Sequence, residues 1–416
     1  MNKVRDGYKI TEIGEIPIEW ECSKLEDYIE IRSGNSPSGF KLKENGKYPF
    51  FKVDDMNYTS KYMKIAKVYF DECKYELMSK GMVVFPKRGA SIFTNKVAIL
   101  DRSGYFDTNT MGLTCSSKLN NEYLFYQLKF IGLEKFADTT AVPQINNKHI
   151  NPLVIPIPTM EEQEKITSIL STVDEQIDNV DALIEKNKEL KKGLMQTLLT
   201  KGIGHTKFKK TEIGEIPEEW EVSNLTNIVD IKGRVGWKGY TKKDLVEFGP
   251  LAIGAMHINS NNKLDLSEPV YLSKEKYEES PEIMVSKGDI ILAQRGSLGK
   301  VVLIEKEIGE ATINPSMVLI KNIKINSRYL YYFLCSEYIQ KVIFKETSQT
   351  SIPMISQEQI GKFKIIIPTI KEQEKIASIL SEVDKKIEEY ENKKQKLEKL
   401  KKGLMQQLLT GKIRAI

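Results

Sequence analysis

The strongest constraint on the fold of this chain is a duplication within it. Residues 11–20 return at 211–220 with a single difference, and residues 162–196 return in related form at 372–406. This period of about 200 residues is the size of a domain, far above the roughly 20 to 50 residues of a solenoid repeat. The segments between these blocks are largely different. The sequence therefore predicts a tandem duplication in which the repeated blocks form a common scaffold and the segments between them have diverged.

Composition narrows the class of protein. The chain has no run of 18 apolar residues and no apolar stretch near Met1, so we expect a cytoplasmic protein with no membrane contact. Its four cysteines are scattered without a Cys-x-x-Cys pair, which favours reduced thiols over disulfides or a zinc site. The net charge is +5, and residues 161–201 carry 9 acidic residues and 6 lysines, against 8 and 10 in residues 371–411. The remaining segments hold the positive excess, which permits nucleic-acid binding.

The second repeated block predicts a long helix in each half. Thr159 with Glu162, and Thr369 with Glu372, have the spacing of a capping box at the start of a helix. Apolar residues then recur in steps of three and four over about four heptads, which is typical of a coiled coil. The pattern has a gap at Asn187 in the first helix, and in the second helix Lys394 replaces Ile184 and Leu397 replaces Asn187. The predicted seam and docking residues are Ile166, Leu170, Val173, Ile177, Val180, Ile184, Leu190, Leu194 and Leu198, and at the matching positions Ile376, Leu380, Val383, Ile387, Tyr390, Leu397, Leu400, Leu404 and Leu408.

The two helices can pair with each other, or each can pack on its own domain. The opposite charges of the two segments favour pairing, and the order of the segments favours an antiparallel pair. Gly193 and Gly403 lie inside the helical pattern, where glycine costs about 1 kcal/mol relative to alanine. Their duplication indicates a close backbone approach, either between the helices or to a partner. The end of the second helix is then expected near the N-terminal domain, in a circular, pseudo-two-fold arrangement.

The divergent segments predict two similar α+β domains. Residues 83–85 and 97–100 have the pattern of short strands, and residues 121–136 that of a helix. Lys80 to Gly89 resembles Lys287 to Gly296: a turn, a short apolar strand, then an Arg-Gly turn. The two domains are therefore predicted to share a core and to differ in their loops.

Basic and small polar residues cluster in those loops. Arginine can contact guanine with two hydrogen bonds, and serine, asparagine and lysine can contact bases or phosphates. Taken alone, each such loop can equally be an ordinary turn, but the recurrence of Arg88 at Arg295 favours contact with DNA. The candidate DNA-binding residues are Arg32, Ser33, Asn35, Lys41, Lys87, Arg88 and Ser91 in the first domain, and Arg234, Lys238, Arg295, Ser297 and Lys300 in the second.

Motifs for catalysis are missing from the sequence. There is no phosphate-binding loop of the Gly-x-x-x-x-Gly-Lys-Ser/Thr type, and the three histidines have no metal-ligand companions at useful spacing. A nuclease or methyltransferase would need such a motif. A purely structural coiled-coil adaptor would bind no specific duplex DNA. We therefore expect a chain without catalytic residues, metal or cofactor of its own, and at this point both a DNA-binding chain and a structural adaptor stay possible.

The repeated motifs resemble the DNA specificity subunit of type I restriction-modification systems, over nearly the whole chain. They are Gly-Glu-Ile-Pro with Trp20 and with Trp220, Glu-Gln-x-x-Ile at 162–166 and 372–376, and Lys-Lys-Gly-Leu-Met at 191–195 and 401–405. The resemblance implies two target recognition domains, each reading half of a bipartite asymmetric DNA target. It also implies two long helices that dock two modification subunits, which bind S-adenosylmethionine and methylate adenine, and a separate restriction subunit as a further partner.

The domain organisation expected on this basis has four parts. Residues 1–157 form the first recognition domain and 158–202 the central helix. Residues 203–367 form the second recognition domain and 368–416 the C-terminal helix. The chain itself is then a non-catalytic specificity subunit.

Overall fold

A computed structural model of the chain describes residues 4–38, 41–71, 75–138, 142–234, 239–347 and 353–415. The fold divides into two compact units, Met1–Leu183 with Tyr390–Ile416, and Ile184–Glu389. Each of two long helices contributes residues to both units. The predicted boundaries of the four segments stay predictions.

The first unit combines short strands with two short helices and part of each long helix. Its strands are β1 Tyr8–Thr11, β2 Gly14–Pro17, β3 Glu21–Lys24, β4 Ile29–Ser33, β5 Tyr48–Phe51, β6 Tyr62–Met63, β7 Val68–Phe70, β8 Val83–Pro86, β9 Ala98–Leu100, β10 Tyr105–Phe106, β11 Thr110–Cys115 and β12 Val154–Ile157. Its helices are α1 Asn121–Ile131 and α2 Asn147–Ile150, followed by the first long helix, α3 Met160–Leu198.

The second unit has corresponding elements. Its strands are β13 Phe208–Thr211, β14 Gly214–Pro217, β15 Glu221–Asn224, β16 Asp230–Gly233, β17 Leu245–Ile253, β18 Tyr271–Leu272, β19 Ile290–Ala293, β20 Val301–Leu303, β21 Ala311–Ile313, β22 Met317–Lys321 and β23 Lys364–Ile367. Its helices are α4 Lys274–Glu278, α5 Ser327–Leu334, α6 Glu337–Thr347 and α7 Gln357–Gly361, followed by the second long helix, α8 Ile370–Leu408.

The two units have similar sheet topologies, even in the segments where their sequences differ. The larger sheet has the order β4-β11-β8-β9-β6 in the first unit and β16-β22-β19-β20 in the second. A three-stranded sheet follows in each, β10-β5-β7 and β18-β17-β21, and in each the central strand has one parallel and one antiparallel neighbour. The α+β class and the two similar domains are therefore confirmed. Strand β6 has no counterpart in the described part of the second unit.

The strands and the helix predicted around Arg88 are present with small changes at their ends. Strand β8 runs to Pro86, and all four of its residues are buried. Helix α1 ends at Ile131 because Gly132 has a φ of 89°, and a short 3-10 helix, Leu133–Phe136, completes the predicted segment. Glycine permits this left-handed conformation, which other residues rarely adopt.

The long helices begin where predicted, but the capping box of α3 forms only in part, and at α8 the amide of Glu372 donates to the backbone carbonyl of Thr369 over 2.9 Å. The amide of Glu162 donates to Thr159 Oγ1 over 3.3 Å, as the motif requires. The Glu162 carboxylate does not return to the cap; it binds Trp20, described below. The neighbouring Gln163 is buried, and its Oε1 accepts a hydrogen bond from the amide of Asn120, 2.8 Å away. Asn120 is the residue that caps the start of α1. The repeated Glu-Gln pair therefore ties each long helix to its own domain.

The ends of the long helices pack into the cores of the units. Met405 and Leu408 of α8 lie in the core of the first unit with Trp20. In the second unit, Leu198 of α3 lies in the core with Trp220. The C-terminal helix therefore ends against the N-terminal domain, as expected.

Candidate nucleic-acid interface

The two predicted arginine turns occupy equivalent places in the two units. Arg88 follows β8 and Arg295 follows β19, and both side chains are exposed. Each arginine also forms an isolated β-bridge, Arg88 with Gln144 and Arg295 with Met354. These bridges fix the backbone of both turns, so each arginine projects from a defined position rather than from a free loop.

A glycine with positive φ follows each arginine. The φ angles are 88° at Gly89 and 77° at Gly296. Because residues with a Cβ are strained there, both turns depend on glycine at this position. The side chains differ in their surroundings: Arg295 Nη2 lies 3.2 Å from Met354 Sδ. The same backbone thus presents arginine in two chemical settings.

Several of the predicted DNA-contact residues of the first unit lie close together, near the ends of strands β4 and β8. Lys87 Nζ donates to Ser33 Oγ over 3.1 Å, which joins β8 to β4. Burial lowers the pKa of Lys87, and the charge of Asp107 acts in the opposite direction. A Cβ on Gly34 would lie 1.8 Å from the Asp107 carbonyl oxygen, so only glycine fits there. Asn35 follows, and its Oδ1 is buried without a hydrogen-bond partner among the described residues.

The other candidates of the first unit are more peripheral. Arg32 forms ion pairs with Glu30, at 2.9 Å, and with Glu76, at 3.0 Å, and all three side chains are exposed. Lys41 is exposed. Ser91 Oγ donates to the Arg88 carbonyl over 3.4 Å. Arg32 would have to leave its two carboxylates to contact DNA.

Arg234 departs from the sequence-based expectation. The residue is 5% exposed, with Nη2 donating to Thr312 Oγ1 over 3.1 Å and Nε donating to the Ile313 carbonyl over 3.3 Å. Tyr240 lies against its guanidinium, 5.6 Å from the ring centre. Burial lowers the pKa of Arg234. The side chain holds β21 in place and is not presented on the surface.

Lys300 is also committed within the second unit. Its Nζ donates to the carbonyls of Ile258, over 2.6 Å, and Ala255, over 3.3 Å, so a loop-bracing role replaces the predicted surface role. Ser297 is exposed beside the arginine turn. Lys238 lies outside the described residues.

Most residues of the predicted helix seam are buried, and Ile166, Leu170, Ile376 and Leu380 among them lie in the cores of the two units. Its buried members are Ile166, Leu170, Val173, Val180 and Ile184 of α3, and Ile376, Leu380, Val383, Ile387 and Leu397 of α8. Ile177, Leu194 and Leu404 are half-buried.

Ion pairs between α3 and α8 accompany the seam. In the first unit Asp174 pairs with Lys401 at 2.5 Å, and Asp181 pairs with Lys394 at 2.6 Å. From the first pair to the second, the α3 residue shifts seven positions towards the C-terminus and its α8 partner shifts seven positions towards the N-terminus. The two helices therefore run antiparallel. The hydrogen bond to Asp181 raises the pKa of Lys394. The predicted charge complementarity of the two helices is therefore realised in specific pairs.

Two predicted seam residues are wrong. Leu190 is 51% exposed and Leu400 is 50% exposed. The inward position one turn earlier is taken by Asn187, which is half-buried, and by Leu397, which is buried. Both helices continue without a break through this position. Which residue faces the seam is therefore set by the helical repeat and not by which residue is the most apolar.

Of the two close approaches considered for Gly193 and Gly403, the one between the helices is not found among the described residues. A Cβ added at Gly193 or at Gly403 would meet no other residue within 4 Å. Neither glycine is therefore explained by contacts within the described chain. Each lies three residues after an exposed leucine, Leu190 or Leu400, and so on the same face of its helix.

A buried carboxylate joins the N-terminal motif, α3 and the C-terminus in the first unit. Trp20 Nε1 donates to Glu162 Oε2 over 2.8 Å. Arg414 donates to the same carboxylate through Nε, at 2.7 Å, and Nη2, at 2.9 Å. These hydrogen bonds raise the pKa of Arg414. The Ala415 amide adds a fourth donor at 3.2 Å, so the buried charge is fully paired.

The second unit repeats this arrangement with a histidine in place of the arginine. Trp220 Nε1 donates to Glu372 Oε2 over 2.9 Å. His205 Nε2 takes the place of the arginine, 2.9 and 3.1 Å from the two carboxylate oxygens. The Ile203 amide also donates, over 2.9 Å. Sequence reasoning noticed the repeated tryptophan and glutamate as separate motifs and missed that they bind each other.

Among the described residues, no three histidine, cysteine, aspartate or glutamate side chains form a group suited to a metal ion. Within the same ranges, no helix has the length and apolar character needed to cross a membrane.

Comparison with known proteins agrees with this architecture. The family model described as "Type I restriction modification DNA specificity domain" matches residues 17–191 and 217–399. The chain is 32% identical over 414 residues to the type I restriction enzyme MjaVIII specificity subunit of Methanocaldococcus jannaschii, covering 96% of this chain and 94% of the relative. The chain therefore belongs to the family of type I restriction-modification DNA specificity subunits, and its role is recognition of a DNA target.

Solved structures show the same fold. The S subunit of the type I restriction-modification system from M. genitalium superposes with a TM-score of 0.61 at 18% identity, covering 98% of each chain. A chain from a study of complex assembly and conformational transition of the type I R-M system gives a TM-score of 0.57 at 16% identity, covering 96% of this chain and 99% of the other.

Proposed function

We propose that the two units each read one half of a bipartite, asymmetric duplex DNA target. The observation that carries this proposal is the duplicated strand and arginine turn, with Arg88 and Arg295 exposed at equivalent places. Arginine is the commonest side chain in specific contacts with guanine. Because the residues around the two turns differ, the two half-sites should differ as well.

The chain would also dock two copies of a modification subunit. Leu190 with Gly193, and Leu400 with Gly403, form two small exposed faces at equivalent positions of α3 and α8. An exposed leucine beside a glycine offers apolar area and close backbone access to another helix. Two equivalent faces suit two copies of one partner. A restriction subunit would be a further partner of the complex.

Catalysis would belong to those partners. The modification subunits would bind S-adenosylmethionine and methylate adenine, and this chain would hold no cofactor or metal. The relative from Methanocaldococcus jannaschii that is 32% identical to this chain is named a specificity subunit. The function of this chain would then be to select the DNA sequence and to assemble the enzyme on it.

Exchange of one recognition domain tests the proposal. The chain is coexpressed with the modification subunits of its own system, and the methylated sequence is read from the DNA of the host. Residues 203–367 are then replaced by a copy of residues 1–157. We expect an asymmetric target for the natural chain and a palindromic target for the exchanged one. Recovery of the original asymmetric pattern would refute the assignment of one half-site to each domain.

A further inference from the structure

A three-residue network in the first unit joins the recognition domain to both long helices. Tyr126 of α1 donates its hydroxyl to Asp174 Oδ2 of α3 over 2.6 Å. Lys401 of α8 lies 2.5 Å from the other oxygen of this carboxylate. Its Nζ is also 5.7 Å from the centre of the Tyr126 ring. One carboxylate therefore connects three elements that are far apart in the sequence.

The second unit builds the same network with the roles of the helices exchanged. Tyr332 of α5 donates to Asp384 Oδ2 of α8 over 2.7 Å. Lys191 of α3 lies 2.7 Å from Asp384 Oδ1 and 5.5 Å from the centre of the Tyr332 ring. The two helices have drifted in sequence, for example at Asn187 and its counterpart Leu397, yet both networks retain the same three residue types. We call them the domain clamps.

The chemistry of the domain clamps suits a device that fixes orientation. Both tyrosines are buried, and burial raises the pKa of Tyr126 and of Tyr332, so each hydroxyl stays a neutral donor to the carboxylate. Tyrosine is rigid, with few rotatable bonds, and hydrogen bonds to a charged group are directional and strong. A lysine above the ring adds a favourable cation–π contact. Each clamp therefore resists rotation of the domain about the helix pair.

We propose that the domain clamps are positioning residues that set how strictly the complex measures the spacer between its two half-sites. This inference rests on the proposed function, because a spacer exists only if each domain reads its own half-site. One base pair advances the duplex by about 3.4 Å. A domain that rocks on the helices by this distance at its reading loops would accept half-sites displaced by one base pair.

The test compares spacer preference in the assembled methyltransferase. Plasmids carry both half-sites with the native spacer, or with a spacer one base pair shorter or longer. Methylation rates are measured for the natural chain and for the variants Tyr126→Phe and Lys401→Met. We expect the preference for the native spacer to fall by about tenfold, the change expected for loss of one hydrogen bond to a charged group. Recognition of each half-site should stay unchanged.

Tyr28→Phe is the matched control. Tyr28 is buried and donates to the carboxylate of Glu21 over 2.7 Å, but both residues lie within the first domain. This variant should lose stability without losing spacer preference. If the clamp variants change the methylation rate of all three spacers by one factor and so keep the native spacer preference, as expected of Tyr28→Phe, the positioning role is overturned.

The second clamp provides an independent check. Tyr332→Phe and Lys191→Met should relax the spacer as the variants of the first unit do, and an effect confined to one clamp would contradict the proposal. Methylation of no bipartite sequence by the natural chain with its partners would overturn the proposed function and the clamp role together. A selective natural enzyme with equally selective clamp variants would overturn the clamp role alone.

Discussion

Replacing Arg414 by methionine should destabilise the first unit substantially. The Glu162 side chain is 5% exposed, and Arg414 donates two of its four hydrogen bonds. Methionine keeps the apolar length of the side chain and removes the charge. Glu162 then keeps only the neutral donors of Trp20 and Ala415.

The magnitude follows from burial. Breaking a fully buried ion pair costs about 3 to 5 kcal/mol. Arg414 is 23% exposed and two donors remain, so we expect a loss of roughly 2 to 3 kcal/mol. In a unit of this size, each kcal/mol lowers Tm by about 2 to 4 °C. The Tm of the first unit should therefore fall by about 4 to 12 °C.

Thermal unfolding monitored by circular dichroism measures this loss, and hydrogen exchange with mass spectrometry assigns it to the first unit. The control is Lys165→Met, which breaks the exposed pair of Lys165 with Glu161 on α3, 2.9 Å apart. Exposed helical pairs of this spacing contribute only about 0.3 to 0.5 kcal/mol. This control should leave Tm nearly unchanged.

A double-mutant cycle identifies the mechanism. Glu162→Gln removes the buried charge and keeps an oxygen that can accept from Trp20. In that background Arg414→Met should cost less than about 1 kcal/mol, because no buried charge is left unpaired. An equal cost in both backgrounds, or a fall in Tm below about 2 °C for Arg414→Met alone, would refute the assignment of Glu162 as the anchor of the C-terminus.

Three further predictions concern other parts of the chain. Arg88→Ala and Arg295→Ala should each reduce discrimination in one half-site only, by about 1 to 3 kcal/mol, in binding assays of the complex with DNA altered in either half; equal weakening for all sequences would indicate phosphate contacts instead. Gly193→Ala and Gly403→Ala should stabilise the isolated chain by up to about 1 kcal/mol in urea unfolding, because the added Cβ meets nothing, and a loss of stability would contradict the exposed position. Burial raises the pKa of the Cys115 thiol to about 12, so peptide mapping should find it unalkylated by iodoacetamide at pH 8 until the protein unfolds.

Local sequence patterns predicted the elements of this fold well. Strand β8, helix α1 and the starts of α3 and α8 arise from short-range rules: apolar runs, caps and glycine stops. These rules act over a few residues, so one sequence is enough to apply them. The duplication strengthened each prediction, because the same pattern occurred twice.

Contacts between distant residues were beyond those patterns. Arginine is usually exposed, so Arg234 was expected on the surface, but Thr312 and Ile313 supply acceptors that make its burial tolerable. Likewise, nothing within four residues of Glu162 indicates that it abandons its capping role for Trp20. The repetition of both residues was the available signal, and it shows only that they matter, not that they touch.

A comparison of the two halves of the chain distinguishes the residues that hold the framework together from those that differ between the two domains. The residues retained in both halves include Trp20, Glu162, Gln163 and Asp174, and each joins a domain to a long helix through a side-chain hydrogen bond. The turns of Arg88 and Arg295 have different surroundings in the two halves, and among the described residues neither turn has such a bond to the long helices. The segment around β6 also differs between the halves, yet it does reach α3, through Ser60 Oγ to Asp178 Oδ2 over 2.9 Å and Lys61 Nζ to Ser171 Oγ over 2.7 Å. In a family that selects DNA targets, the bonds retained in both halves keep the framework fixed while the arginine turns are free to change their surroundings.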